Sequence, residues 1–387
     1  MRIVLVSEVF PPRAGGAGWS SRALALGLMQ AGHEVEVITT SPGPAEMDGL
    51  AVRRIEARGR KRFAVPAAFD RALREARFDV VHAQHSLAAL GALRAGRESR
   101  TVVTVRDHWP VCFWSTRLSR GRLCPGCGLL PMTRCVDGHV NAPAPLSWGA
   151  IPYMRWDLSQ KRRALSRAAA TLAVSEAVAS ELRAARIPRV AVLPNIVDAD
   201  EARRVAEDDP PFALPPRFLL FVGKLEANKG ALLLLPAVAG ARTGLPVVVL
   251  GEGSLHHALK LEAARHGIEL LVRGWVHRDD ALRILARATV LVFPSLWPEP
   301  LSRVLLEAIA LGTPIAAMDT GGTGEILQDE GSGLVVSDAA GLPSAIARLV
   351  QDQDLAARLR EGARDRATAF SPAALVPRYE AVYRGVA

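Results

Sequence analysis

Two glutamates flank a proline-led segment that predicts the start of a helix. Pro300 suits the first helical position, because its missing N–H group would have no partner there. The next backbone N–H groups, which would lie at the positive end of the helix dipole and attract an anion, are those of Leu301, Ser302 and Arg303. Glu299 precedes this helix, and Glu307 lies about two turns inside it. Carboxylates suit the hydroxyls of a sugar or a ribose, since each accepts more than one hydrogen bond.

Cations and glycines follow other apolar runs in the same half of the chain. Lys224 and Lys229 come after Phe218–Val222, a run typical of a buried strand. The glycine-bearing loops after later runs contain Gly251 and Gly253, Gly274 with Val276, and Gly321 with Gly322. Open α/β sheets bind ligands at the carboxyl ends of their strands, so this pattern predicts a diphosphate site. Taken alone, the two glutamates would also fit a solvated surface helix.

The elements that must position these residues alternate between strand and helix. Arg2–Val6 predicts a strand, a loop with Gly15 and Gly16 follows, and Ser20–Gln30 has helical spacing before a strand at Val35–Thr39. The further strand candidates are Asp79–His82, Thr101–Val105, Thr171–Val174, Val190–Leu193, Pro246–Leu250, Glu269–Val272, Val290–Phe293 and Pro314–Ala317. Such alternation predicts parallel sheets covered by helices on both faces.

A chain of 387 residues is longer than one hydrophobic core usually supports. We expect one domain over 1–196 and a second over 197–370, joined by a polar linker from Asn195 to about Pro216. Residues 371–387 predict a terminal helix, with Pro377 in its first turn.

These motifs resemble glycosyltransferase family 4, a retaining group with the GT-B fold, over nearly the whole chain. The motifs that carry the resemblance are Val222-Gly223-Lys224 with Lys229-Gly230, Gly251-Glu252-Gly253, Glu299 and Glu307 ahead of Ala310-Leu311-Gly312-Thr313-Pro314, Gly321-Gly322 with Glu325, and Gly15-Gly16. The resemblance implies an α/β protein with two Rossmann-like domains that face each other across a cleft. It also implies that the terminal helix packs back on the N-terminal domain.

The resemblance assigns a role to each of these donor-site residues. Lys224 and Lys229 would bind the diphosphate of a nucleotide sugar, Glu299 would contact the transferred sugar, and Glu307 would contact the ribose. The backbone near Val276 would border the base, and the loop with Gly15 and Gly16 would close over the phosphates. Lys224 stands where the family has arginine, and Ser302 where it has glycine. These departures leave the identity of the donor open.

No cofactor is expected for catalysis. Lys224, Lys229 and the helix N–H groups offset the charge of a nucleoside diphosphate leaving group without a metal. Two Asp-x-Asp triplets, Asp198-Ala199-Asp200 and Asp352-Gln353-Asp354, lie far along the chain from the expected phosphate site. We interpret both as solvated acidic pairs.

The acceptor side is predicted after the strand that ends at Val105. Arg106 stands where the family often has histidine, and it is followed by Asp107 and His108. We expect Asp107, with Arg106 or His108, to face the reacting centre. An equally good interpretation makes Asp107 the cap of a turn or a helix.

Four cysteines lie in one glycine- and proline-bearing stretch, an insertion at about 109–156. They are Cys112, Cys124, Cys127 and Cys135, and His108 or His139 could replace one of them as a ligand. The spacing predicts a structural zinc site, with free thiols or a redox pair as the alternative. We expect this insertion to shape the choice of acceptor.

The net charge of +9 is unevenly distributed. Residues 1–200 contain 28 basic and 17 acidic residues, and the remainder contains 20 and 22. The arginine clusters are Arg53, Arg54, Arg58, Arg60 to Arg62 with Lys61, then Arg71, Arg74 and Arg77, and Lys161 to Arg163. They fit either a solvated surface or an anionic membrane, and no nucleic-acid motif accompanies them. We expect a cytoplasmic protein, since no apolar run is long enough to span a bilayer. Peripheral attachment to the inner face of the plasma membrane is left open.

The leading hypothesis is a retaining hexosyltransferase. It would move a sugar from a nucleotide-diphosphate sugar to a glycan or lipid-linked acceptor in cell-surface polysaccharide or glycolipid synthesis. The first alternative is a soluble disaccharide or sugar-phosphate synthase of the same fold. The second is a non-catalytic protein that binds a nucleotide or a polyanion.

Overall fold

The computed structural model describes residues 1–95, 98–119, 122–124, 126–139 and 146–387. The chain divides into two compact units. The N-terminal unit contains Met1–Ile196 together with Pro372–Ala387, and the C-terminal unit contains Val197–Ser371.

The N-terminal unit holds the strands β1 (Arg2–Ser7), β2 (Glu34–Thr39), β3 (Glu46–Met47), β4 (Leu50–Arg54), β5 (Val80–Ala83), β6 (Thr101–Val105), β7 (Leu118–Ser119), β8 (Arg122–Leu123), β9 (Ala170–Ala173) and β10 (Val190–Val192). Its first six helices are α1 (Gly16–Gln30), α2 (Lys61–Glu75), α3 (Ser86–Arg94), α4 (Leu129–His139), α5 (Ile151–Arg167) and α6 (Glu176–Ala184). Eight of the strands form one sheet in the order β10-β9-β6-β5-β1-β2-β4-β3, and β7 pairs with β8. The pairs along the sheet are parallel except β3 with β4.

The C-terminal unit holds α7 (Ala199–Glu207), β11 (Leu219–Val222), α8 (Ala231–Ala241), β12 (Val247–Leu250), α9 (His256–His266), β13 (Leu270–Val272), α10 (Arg278–Arg287), β14 (Val290–Phe293), α11 (Arg303–Leu311), β15 (Ile315–Met318), α12 (Thr323–Ile326), β16 (Leu334–Val336), α13 (Leu342–Gln351) and α14 (Gln353–Ala367). The sheet order is β13-β12-β11-β14-β15-β16, and all its pairs are parallel. Its inner strands β12, β14 and β15 are fully buried runs, as expected for a sheet covered on both faces.

The last helix, α15 (Pro372–Arg384), belongs to the N-terminal unit. Tyr379 and Tyr383 are almost completely buried there, and the hydroxyl of Tyr383 lies 2.7 Å from Nδ1 of His82 on β5. The helix begins at Pro372, so Pro377 lies in its second turn. The expectation that Pro377 occupies the first turn was wrong, because the helix starts five residues earlier.

Three segments are more regular than the sequence predicts. The expected linker contains α7, whose first turn is capped by Asp198 through a 2.9 Å bond from the Glu201 N–H group. Asp352 caps α14 in the same way through the N–H group of Leu355. Each Asp-x-Asp triplet therefore begins a helix. The insertion expected to be irregular at about 109–156 contains α4 and the start of α5, although part of it lies outside the described residues.

Candidate active site

In each sheet, the order in which successive strands are added reverses between two neighbouring strands. Predicted site residues lie near these points of reversal. In the C-terminal sheet, β12 and β13 lie on one side of β11, while β14, β15 and β16 lie on the other. Lys224 and Lys229 follow β11, and Glu299 follows β14. In the N-terminal sheet, the corresponding neighbours are β1 and β5. Ligands of open α/β sheets bind outside the carboxyl ends of the strands at such switch points.

Close packing of the loops fixes the backbone around the C-terminal switch point. Gly230 has a φ of 70°, and a Cβ atom there would lie 1.8 Å from the carbonyl oxygen of Pro294. Gly251 has a φ of 152°, and a Cβ atom would lie 1.8 Å from the oxygen of Gly223. Only glycine fits at these two positions, because a side chain would be both strained and blocked. The loops after β11, β12 and β14 are thereby held against one another.

Lys229 and Glu299 form a charged pair within this loop cluster. Nζ of Lys229 donates to Oε1 of Glu299 at 2.6 Å, and the hydroxyl of Ser295 donates to the same oxygen at 2.7 Å. The ammonium group also lies 4.3 Å from the centroid of the Trp297 ring. Glu299 is only 3% exposed, so these donors stabilise its charge in a site that is nearly closed to solvent. Within the described chain, Oε2 of Glu299 accepts no hydrogen bond.

Glu307 is held in a second network of buried charges. Its Oε1 accepts hydrogen bonds from Nε of Arg278 at 2.8 Å and from Nε of Arg303 at 2.9 Å. Arg278 also reaches both carboxylate oxygens of Glu201 on α7, at 3.3 and 3.4 Å. Burial alone would raise the pKa of Glu307, but the charges of Arg303 and Arg278 outweigh it and lower that pKa below its ordinary value. Glu307 is therefore ionised. Its Oε2 has no hydrogen-bond partner in the described part of the chain.

The helix after Glu299 starts later than the sequence suggests. Ser302 is the N-cap residue, with φ −70° and ψ 122°, and α11 begins at Arg303. Pro300 therefore precedes the helix, and its expected place in the first turn was wrong. The first internal bond of the helix runs from the N–H group of Leu306 to the oxygen of Ser302 at 3.2 Å. The positive end of the helix dipole thus lies at Ser302 and Arg303, while Leu301 is in the loop before it.

The other residues predicted for the donor site lie on separate loops of the two units. Lys224 is exposed, and its side chain has no acidic partner among residues that the structure describes. Gly253 packs so closely that a Cβ atom would lie 2.4 Å from the oxygen of Leu225. Val276 is partly buried just before α10. Gly15 and Gly16 are exposed in the N-terminal unit, where Gly15 is the N-cap of α1.

Arg106 is fixed by two amide side chains at the N-terminal switch point. Its guanidinium donates to Oδ1 of Asn195 and to Oε1 of Gln84. Gln84 is fully buried, and its amide nitrogen has no hydrogen-bond partner in the described chain. This arrangement leaves a buried amide donor beside Arg106 at the carboxyl edge of the sheet. No periodic pattern in the sequence indicates it.

Asp107 and His108 point to different neighbours. Oδ1 of Asp107 accepts the N–H group of Trp109 at 2.7 Å, so this carboxylate does cap a turn. Burial raises the pKa of Asp107 above its ordinary value, in spite of that hydrogen bond. His108 is buried, with Nδ1 2.7 Å from Oε2 of Glu181 on α6. The capping role and a role toward a ligand are compatible for Asp107, since only one of its oxygens accepts the turn N–H group.

Glu8 and His85 also lie at this edge, and the sequence analysis did not single them out. Oε1 of Glu8 accepts the N–H groups of Leu87 and Ala88 at the start of α3, at 2.5 and 3.3 Å. Burial raises the pKa of Glu8 above its ordinary value. Burial, with the neighbouring charge of Arg106, lowers the pKa of His85 to about 3, so this histidine is neutral at pH 7. The sequence feature that could have identified Glu8 and His85 is their position just after the strands β1 and β5.

The four cysteines do not support the expected zinc site. Cys112, Cys124, Cys127 and Cys135 are free, and no group of three His, Cys, Asp or Glu side chains able to hold a metal occurs in the described chain. The thiol of Cys127 donates to the oxygen of Val111 at 3.4 Å. Burial, with the other three thiols nearby, raises the pKa of Cys135 to about 11. Burial also raises the pKa of the Cys127 thiol above its ordinary value.

The fold and the arrangement of charged groups at the strand ends define the class of protein. The family model described as "Glycosyltransferase Family 4" matches residues 14–201 of the chain. The family model described as "Glycosyl transferases group 1" matches residues 203–366. The chain belongs to the family 4 glycosyltransferases, enzymes with the GT-B fold of two Rossmann-like domains. The family and fold predicted from the motifs are thereby confirmed.

Individual relatives illustrate the breadth of this family. Glycogen synthase of Mycobacterium tuberculosis is 28% identical over 95% of this chain and 90% of its own length. The N-acetylgalactosamine-N,N'-diacetylbacillosaminyl-diphospho-undecaprenol 4-alpha-N-acetylgalactosaminyltransferase of Campylobacter jejuni is 28% identical over 46% of this chain and 49% of its own length. The structure of HepE from Anabaena in complex with UDP-glucose superposes with a TM-score of 0.72 at 17% identity, covering 99% of both chains.

Proposed function

We propose that this glycosyltransferase binds the donor, a nucleotide-diphosphate sugar, through Lys224, Lys229, Glu299 and Glu307. One observation carries the proposal. Both glutamates use Oε1 to accept hydrogen bonds from protein cations or a hydroxyl, and both leave Oε2 without a partner in the described chain. An anchored carboxylate with one remaining acceptor oxygen suits a sugar or ribose hydroxyl, because the anchoring bonds fix its direction.

The surrounding cations suit the diphosphate. Lys224 is exposed without an acidic partner, and the N-terminal end of α11 adds positive potential at Ser302. When the bond between sugar and phosphate breaks, negative charge builds on the leaving nucleoside diphosphate. Fixed cations and N–H groups stabilise that charge more than they stabilise the bound donor, which lowers the barrier. Family membership favours transfer with retention.

The proposed acceptor is a glycan or a lipid-linked sugar bound by the N-terminal unit. Arg106, Asp107, Glu8 and His85 provide polar groups at the carboxyl edge of that sheet. The names of the relatives, a glucan synthase and an enzyme that acts on a diphospho-undecaprenol substrate, support acceptors of this kind. In this proposal the basic N-terminal unit also meets an anionic membrane.

A thermal-shift panel of nucleotide sugars tests the donor assignment. A ligand that binds only the folded state stabilises it by about 2.7 kcal/mol at a hundred times its Kd, so the preferred donor should raise Tm clearly. UDP-, GDP- and ADP-sugars should differ in the shift they cause, because in this proposal the backbone near Val276 borders the base. If every nucleotide sugar left Tm unchanged at millimolar concentration, the donor site would be misassigned.

A further inference from the structure

A groove between α2, α3 and α5 combines apolar and basic side chains. Its volume is about 210 Å³. The apolar part of the lining includes Phe63, Leu93 and Trp156, and the basic part includes Arg94, Arg163 and Arg167. This composition suits an amphiphilic anion better than a fully polar one, since aliphatic and aromatic groups lie next to guanidinium groups.

Three aromatic rings in or beside this groove are open to solvent. Phe63 is 55% exposed, Tyr153 45% and Trp156 51%. They surround the guanidinium of Arg62, which lies 4.7 Å from the ring centroid of Tyr153 and 5.5 Å from that of Trp156. Exposed rings are seldom grouped in this way on a surface that meets only water, whereas tryptophan and tyrosine favour the headgroup region of a bilayer.

Arginines continue this surface along α5. A second cavity, of about 710 Å³, is lined by five arginines, namely Arg155, Arg162, Arg163, Arg167 and Arg186. Among the described residues, Arg94, Arg155 and Arg163 form no ion pair. The N-terminal unit contains 30 basic and 16 acidic residues, against 18 and 23 in the C-terminal unit. Like charges repel one another along a helix, so an anionic partner would stabilise this face.

Arg53 and Arg54, the arginines on β4, form hydrogen bonds within the protein. The guanidinium of Arg54 donates to backbone oxygens of Pro11, Ser41 and Pro44. Arg53 donates to Glu36 at 2.9 Å. These two cations organise the loops around them and are not available to a membrane. On α5, by contrast, Arg155 and Arg163 are exposed and form no ion pair among the described residues.

We propose that the exposed face of α5, together with Phe63, binds the surface of an anionic phospholipid bilayer. Tyr153, Trp156 and Phe63 enter the headgroup region, while Arg155 and Arg163 contact lipid phosphates. This inference rests on the membrane contact in the proposed function and names the surface that makes it. No helix in the described chain is long and apolar enough to cross a membrane.

Co-sedimentation of the full chain with vesicles tests the proposal. Vesicles of phosphatidylcholine alone are compared with vesicles of equal parts phosphatidylcholine and phosphatidylglycerol. The parent should bind only the anionic vesicles, and Arg163→Gln should bind about fivefold more weakly, since each cation near such a surface contributes about 1 kcal/mol. The double variant F63A/W156A should also lose affinity, because the rings supply the apolar part of the binding.

Matched controls separate this surface from general charge and hydrophobicity. Arg77→Gln removes one exposed charge from the same unit outside the groove, and Leu261→Ala removes an apolar side chain that is 60% exposed on α9. Both should bind like the parent. Absence of binding by the parent, equal binding to neutral vesicles, or equal losses in the controls would overturn the proposal.

Two further measurements distinguish a failure of the membrane proposal from a failure of the proposed function. Release of nucleoside diphosphate from a soluble donor, measured without vesicles, should be the same in all these variants, because none of them touches the donor site. Its loss in the parent would contradict the proposed function and leave the vesicle result standing. If single-stranded RNA displaced the protein from anionic vesicles at low concentration, the surface would be a nucleic-acid site, and the lipid proposal would be wrong.

Discussion

Arg278 connects the ribose-binding candidate Glu307 to the first helix of the C-terminal unit. Its Nε donates to Glu307 at 2.8 Å, and the other two nitrogens of the same guanidinium lie 3.3 and 3.4 Å from the carboxylate oxygens of Glu201 on α7. The side chain of Arg278 is 4% exposed. A planar fork with this geometry sets the direction of Glu307, which a flexible lysine would not do. Arg278 is therefore a positioning residue in the proposed site.

Replacing Arg278 with methionine should weaken donor binding more than it slows the chemical step. Glu307 keeps Arg303 but loses the partner that orients it, so KM for the donor should rise about tenfold while kcat changes less, as expected for the loss of about 1.4 kcal/mol of binding. Steady-state kinetics with varied donor measures both values.

Arg283→Met is the matched control for this experiment. Arg283 also lies on α10 and bridges to Asp208 at 2.7 Å, but it does not contact Glu307. Its KM should stay close to that of the parent. An equal rise of KM in both variants would show that α10 acts only as a structural support.

The carboxylate of Glu299 should matter through its charge. Glu299→Gln keeps the size of the side chain but loses the charge that Lys229 and Ser295 stabilise. We expect kcat to fall by about a hundredfold, similar to the loss of other preorganised electrostatic groups. Glu226→Gln, which alters a carboxylate bonded to Ser254 in an adjacent loop, should retain most of the activity. Comparable losses in both variants would argue against a specific role for Glu299.

Gly230 should tolerate no side chain. Gly230→Ala places a Cβ atom 1.8 Å from the Pro294 oxygen, so the loops after β11 and β14 must separate. We expect a loss of at least about 3 kcal/mol in the free energy of unfolding, measured by urea denaturation. Gly267→Ala is the control, because Gly267 has a similar φ of 64° and nothing within 4 Å of the added atom. It should lose only about 1 kcal/mol from the left-handed backbone. Equal losses would mean that the loop contact is unimportant.

Acid should destabilise the fold through its buried histidines. Burial, with Arg106 nearby, lowers the pKa of His85 to about 3 and lowers that of His82 as well. Unfolded histidine takes up a proton near pH 6.5, whereas His85 in the folded state does so only near pH 3. The unfolded state thus binds more protons between these values. The free energy of unfolding should fall by up to about 1.4 kcal/mol per histidine for each pH unit below about 6.5.

The variant His85→Asn isolates this effect. It removes one titrating group, so unfolding measured across the same pH range should show a shallower slope than the parent. The Glu307 carboxylate, whose pKa is lowered, contributes its own loss only below about pH 4.5. An unchanged slope between pH 6 and pH 5 would contradict the assignment of a neutral, buried His85.

Two substitutions separate the capping role of Asp107 from a role in transfer. Asp107→Asn retains an oxygen to accept the Trp109 N–H group but removes the charge, whereas Asp107→Ala removes both. If the charge acts on the acceptor, both variants should lose most transfer activity while Asp107→Asn unfolds at nearly the parental Tm. If Asp107→Asn transferred sugar at the parental rate, the carboxylate would serve only as a cap.

Much of the candidate donor site could be predicted, because short-range rules place its residues. A strand such as Val290–Phe293 is recognisable as an apolar run, and the charged residues that follow it must lie at the carboxyl edge of a parallel sheet. The start of α11 was misplaced, because Pro300 is compatible with a first turn but Ser302 adopts the extended backbone of a cap. The short strands β4 and β16 were missed for lack of a clear pattern.

Partners from distant positions could not be predicted. Arg278 and Glu201 look like ordinary surface residues of amphipathic helices, and only the packing of α10 against α7 brings them to Glu307. Gln84 and Asn195 meet Arg106 across strands that are far apart in sequence. Spacing carries no information on such contacts, since they depend on tertiary packing.

Release of nucleoside diphosphate by Lys229→Ala is the most direct test of the donor site. Parent and variant are incubated with UDP-, GDP- and ADP-glucose and an oligosaccharide acceptor, and the released diphosphate is quantified. Lys260→Ala, which removes an exposed lysine from α9, is the matched control. The parent and Lys260→Ala should release diphosphate from a preferred donor at similar rates, while Lys229→Ala should be at least about a hundredfold slower. Equal turnover by Lys229→Ala, or no turnover of any nucleotide sugar by the parent, would contradict the assignment of a nucleotide-sugar site at Lys229 and Glu299.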